Sequence, residues 1–84
     1  MDINTLWNLG NRLCDRYEDR HSDILYTSFD VRREGYFKAT NSISVSITHL
    51  ESKFKYKSLY KDVEDIELDD VKNLFKETLE SEGV

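Results

Sequence analysis

The chain has 84 residues, 38% hydrophobic and 35% charged, with a net charge of -5. That length leaves no room for a second hydrophobic core, the spaced apolar and aromatic residues exclude a disordered chain, and the acidity argues against a general affinity for nucleic-acid backbone. One compact domain over residues 1–84 is expected, with little space for an enclosed substrate cavity beside its core.

The single cysteine, Cys14, excludes an internal disulfide, and Met1-Asp2-Ile3-Asn4 lacks the basic, apolar opening of a secretory signal. No apolar run approaches the ~20 residues needed to cross a bilayer, so a cytoplasmic location away from membranes is the expectation.

Placed at 100° per residue, Ile3, Leu6, Trp7, Leu9, Gly10, Leu13, Cys14 and Tyr17 share one arc of about 160°. This periodicity predicts a helix over Ile3–His21, capped by Asp2 or Asn4. Gly10 lies near the centre of the arc, where a missing side chain costs about 1 kcal/mol of helix propensity but lets a sheet approach closely.

Residues 23–32 alternate, with Leu25, Thr27, Phe29 and Val31 on one side and Tyr26, Ser28, Asp30 and Arg32 on the other. A half-buried strand follows. Arg33-Glu34-Gly35 reads as a tight turn leading into a short strand Tyr36–Thr40, and Asn41-Ser42 as a second turn. Ile43, Val45 and Ile47, separated by Ser44, Ser46 and Thr48, form the clearest strand of the chain. Beyond a turn near His49 to Ser52, Phe54 and Tyr56 alternate with Lys53, Lys55 and Lys57, which predicts a strand with its lysines on the open face, where they would also blunt an edge.

Leu68, Val71, Leu74, Phe75, Thr78 and Leu79 repeat at three and four residues, predicting a helix over Leu68–Glu82. Ile66 and Val71 are spaced as a hydrophobic staple around a cap at Glu67. The fold class is therefore a small α+β two-layer sandwich of order α-β-β-β-β-α. Its antiparallel sheet has three to four strands, both helices cover one face, and the other face is open. The order is close to that of the α-β-β-β-α double-stranded-RNA-binding domain. That domain opens its second helix on basic residues, where this chain has Leu68-Asp69-Asp70, so no kinship is claimed.

The chemistry-bearing residues are sparse. Cys14 and His21 would lie ~10 Å apart along the first helix, too far to share a metal, and His49 sits in a turn. No phosphate loop, dinucleotide fingerprint or serine-nucleophile elbow is present, so no cofactor, metal or catalytic residue is expected. The distinctive feature is charge placement. Residues 1–60 hold nine bases and eight acids, whereas residues 61–84 hold three bases and nine acids.

Six of those acids, Asp62, Glu64, Asp65, Glu67, Asp69 and Asp70, fall within nine residues, without the glycine and distal glutamate of a calcium loop. Such a run would steer association with an electropositive protein and could imitate a row of phosphates. The functional expectation is a non-enzymatic, acidic protein-binding module whose partner is a basic, nucleic-acid-binding protein. By analogy of size and charge, it would act as a phage or mobile-element inhibitor of the anti-CRISPR or DNA-mimic type. The alternative is a nucleic-acid-binding module that uses Lys53, Lys55, Lys57, Lys38 and Tyr26 on the open sheet face.

Overall fold

A computed structural model of the chain describes residues 1–34, 40–51 and 53–81. The element order is helix α1 (Ile3–Arg20), strands β1 (Ile24–Glu34), β2 (Thr40–His49) and β3 (Phe54–Tyr60), a single 3₁₀ turn (Val63–Asp65) and helix α2 (Leu68–Glu80). The strands form one antiparallel sheet in the order β1-β2-β3. It is a small α+β domain with a helix at either end of the chain.

Helix α1 begins where Asp2 accepts hydrogen bonds from the backbone N–H groups of Asn4 and Thr5, at 2.8 and 3.3 Å. Those bonds satisfy donors that the first helical turn leaves without partners. They also hold the Asp2 carboxyl below the usual carboxylate range, the Thr5 hydroxyl contributing most. The helix ends as the His21 N–H returns to the Tyr17 carbonyl. Leu6, Gly10, Leu13 and Cys14 are buried, as the apolar arc requires.

At Gly10 the sheet and the helix meet closely. A Cβ built on it would lie 2.0 Å from Cδ1 of Phe29. The Phe29 ring stands edge-on to Trp7 at 5.9 Å and stacks with Phe75 of α2 at 6.0 Å, while Phe75 also meets Tyr17 of α1 at 5.3 Å. This aromatic group ties α1, β1 and α2 into one core with Ile43, Val45 and Ile47 of β2. Helix α1 packs against β1, and α2 against β2 and β3, all on one sheet face.

Three readings of the strands are corrected. First, residues 35–39 of the short strand Tyr36–Thr40 lie outside the described residues, and Thr40 belongs to β2. Arg33, Glu34, Asn41 and Ser42 are strand residues rather than turns, because Arg33 pairs with Asn41, Glu34 with Thr40, and Ser42 with both Arg32 and Tyr60. Ladder pairing, on one side at Asn41 and on both at Ser42, outweighs the turn preference of Asn and Ser. Among the described residues the sheet has three strands, within the expected three to four.

Second, β1 has a register irregularity between Ile24 and Tyr26. An extra residue there reverses the alternation, so Ile24 is buried and Leu25 is 62% exposed, off the buried side that Thr27 and Phe29 occupy.

Third, β3 is turned over. Lys55 and Lys57 pair with Ile47 and Val45 and so share the helix-covered face, while Phe54, Tyr56 and Tyr60 are exposed on the open face. Leu59 decides this, since it pairs with buried Ile43 and packs against the core. Because side chains alternate strictly, burying Leu59 sends every even position of β3 outward.

Candidate partner-binding surfaces

The acidic segment is shaped by three apolar anchors. Ile66 and Val71 are fully buried and Val63 packs partly against the core, so the chain between β3 and α2 is pinned at those points. Asp62, Glu64, Asp65, Glu67 and Asp69 are left exposed. Glu67 is the N-cap of α2, which places Ile66 and Val71 at the expected staple positions.

Asp70 plays a different part from its neighbours. Its carboxylate accepts the Glu67 backbone N–H at 2.9 Å and the Lys61 ammonium at 3.0 Å. Those two bonds, the backbone one first, hold its carboxyl below the usual range, and the same contact raises the Lys61 ammonium. Asp70 and Lys61 therefore close the start of α2. The other five carboxylates form no ion pair among the described residues.

The Met1 ammonium donates to the carbonyls of Val63, Glu64 and Ile66, joining the start of α1 to the 3₁₀ turn. Beside this junction lies an open groove of about 670 Å³, lined by Met1, Ile3, Val63 and the carboxylate residues Asp2, Asp62, Glu64 and Asp65. Asp2 therefore joins the acidic surface, although it stands sixty residues away in sequence. Sequence spacing alone carries no signal for that addition.

The lysine face of the alternative reading is dispersed. Tyr26 is on the open face, opposite Thr48, whereas Lys55 and Lys57 are on the helix-covered face and Lys38 lies outside the described residues. The Lys55 ammonium donates to the Leu79 carbonyl near the end of α2, where the helix dipole favours a cation. Lys53 precedes β3 and lies 3.8 Å from Glu51, both widely exposed, a pair worth little.

What occupies the open face is aromatic and hydroxyl. β1 contributes Tyr26, Ser28, Asp30 and Arg32, β2 contributes Ser42, Ser44, Ser46 and Thr48, and β3 contributes Phe54, Tyr56, Ser58 and Tyr60. The Phe54 and Tyr56 rings stack at 6.4 Å, and the Ser28 and Ser46 hydroxyls bond across the strands. Tyr26, Phe54, Tyr56 and Tyr60 are 60%, 44%, 54% and 62% exposed. The signal that could have found this row is the β2–β3 loop. With the His49 N–H bonded to the Lys53 carbonyl, Thr48 pairs with Phe54, and even positions of both strands share one face.

Among the described residues no group of three or more His, Cys, Asp or Glu side chains is arranged to hold a metal ion. Burial, with Glu18 and Asp15 nearby, pushes the Cys14 thiol up to about 12, the state of a core residue and not of a nucleophile. His49 lies on the helix side of β2 with Nδ1 3.3 Å from Asp23, and the His21 ring lies against Tyr17. Among the described residues no helix is long and apolar enough to cross a membrane. No family model, curated protein or solved structure matches the chain.

Proposed function

We propose that this domain is a non-enzymatic protein-binding module that presents its acidic segment to a basic surface of a nucleic-acid-processing protein, and inhibits that protein by occupying the surface. The observation that supports this reading is the state of Asp62, Glu64, Asp65, Glu67 and Asp69. All five are exposed within eight residues that contain no base, and none has an ion pair among the described residues. Carboxylates left unneutralised in the free protein attract a cationic partner over about a Debye length and would be paired only in the complex. Asp2 extends the row across the groove. The finer reading, a phage or mobile-element inhibitor of the DNA-mimic or anti-CRISPR type acting in the cytoplasm, rests on size and charge.

The test is a variant carrying Asp62→Asn, Glu64→Gln, Asp65→Asn and Asp69→Asn, which spares the cap formed by Glu67 and Asp70. Its melting temperature is expected to stay close to wild type, because all four side chains are exposed and none forms an ion pair among the described residues. Wild type should hold a basic nucleic-acid-processing protein from lysate in a salt-sensitive manner, and the variant should lose it. Retention of the same proteins by both forms would refute the mechanism. Filter binding in ~20 mM salt should show no retention of DNA or RNA, and retention that fades as salt rises would favour the nucleic-acid reading instead.

A further inference from the structure

We infer that the open sheet face is a homodimer interface, on which two copies of this chain pack sheet to sheet about a twofold axis.

The first reason is surface composition. An open antiparallel face is ordinarily polar, yet three of the four β3 positions here are aromatic and about half exposed, with Tyr26 across the sheet. Exposed aromatic side chains gathered on one sheet face, with Phe54 and Tyr56 stacked, mark an interaction site. The second reason is charge. In a molecule of net charge -5, the charged side chains described on this face are Asp30 and Arg32, which bond to each other at 2.7 Å. Two copies can therefore meet here without opposing like charges, whereas the acidic segment would repel its twin. The same neutrality disfavours nucleic acid, which needs cations beside the rings, and Lys55 and Lys61 are already bonded to Leu79 and Asp70.

Shape and area complete the argument. The ring row on β3 stands beside the low hydroxyl row Ser44, Ser46 and Thr48 on β2, so a twofold operation can seat the rings of each copy over the hydroxyl row of the other. Four half-exposed rings offer roughly 400 Å² per copy. The pair then buries roughly 800 Å² in rings alone, and the hydroxyl rows carry the total past the ~1,000 Å² that a specific interface must clear. The acidic segments, held by the helix layer, remain exposed in such a dimer.

Sedimentation equilibrium of the full chain from about 1 to 500 µM tests this, spanning the range expected of a small interface. Wild type should shift from the 10.0 kDa monomer toward twice that mass. A Phe54→Ser, Tyr56→Glu variant should weaken dimerisation by at least about 30-fold, since central aromatic residues dominate such interfaces. Both positions are exposed, so circular dichroism should show the variant folded. A wild type monomeric throughout, or a dimer that survives the double variant, would overturn the assignment.

Discussion

Replacing Gly10 by alanine sets two physical effects of opposite sign against each other. In an isolated helix the change stabilises by about 1 kcal/mol. In this structure the new Cβ would lie 2.0 Å from Cδ1 of Phe29 and 2.4 Å from its Cγ and Cε1, where carbon atoms prefer roughly 3.5 to 4.0 Å. The ring cannot simply swing aside, because it is buried between Trp7 and Phe75. Overpacking of this kind costs about 1 to 3 kcal/mol, and each disturbed aromatic pair adds about 0.5 to 1.5 kcal/mol. After the propensity gain, a net loss of about 3 kcal/mol remains, or roughly 15 °C in melting temperature for a domain of this size.

Urea and thermal unfolding followed by circular dichroism would measure that loss. Phe29→Leu, costly by itself, should be less costly or even stabilising beside Gly10→Ala, with a coupling of about 1 kcal/mol or more in a double-mutant cycle. A Gly10→Ala variant as stable as wild type, or additive behaviour of the two changes, would refute the close packing of α1 on β1.

Four further outcomes follow from the same geometry. The Thr27 hydroxyl is buried with no partner among the described residues, whereas the Thr78 hydroxyl donates to the Leu74 carbonyl at 2.6 Å; chemical denaturation should show Thr27→Val raising stability by about 1 kcal/mol and Thr78→Val failing to do so. Glu18 accepts the Thr27 N–H at 2.6 Å, so Glu18→Ala should cost about 1 to 3 kcal/mol and speed hydrogen exchange at that amide, with Glu18→Gln recovering part of both. Because the Asp70 carboxyl is lowered on folding, its stabilisation is complete above the ordinary carboxylate pKa of about 4 and is lost as pH falls through the folded value. Acid titration of the unfolding free energy should therefore fall less steeply below pH ~4 for Asp70→Asn than for wild type, although that variant starts about 1 kcal/mol lower through its weakened cap. Cys14, with its thiol at about 12, should resist iodoacetamide at neutral pH until the protein is unfolded in urea.

Local periodicity made much of this protein legible. The helix arc of α1, the staple around Glu67 and the alternation of β2 follow from side-chain spacing alone, because each concerns residues a few positions apart. Gly10 was readable too, since a glycine at the centre of an apolar arc has few uses other than close approach. Likewise, the six clustered carboxylates were visible as charge.

Longer-range choices depended on tertiary structure. Asn41 and Ser42 became strand because β1 offers a ladder partner to both and β3 a second one to Ser42, which no local preference contains. Either face of Phe54-Lys55-Tyr56-Lys57 fits a strand, and only the register with β2, with Leu59 set opposite buried Ile43, turned the rings outward. Side-chain period two makes that choice all or none. Similarly, folding singled out Asp70 as a helix cap bonded to Lys61 and drew Asp2 to the acidic groove, because both depend on where distant segments meet.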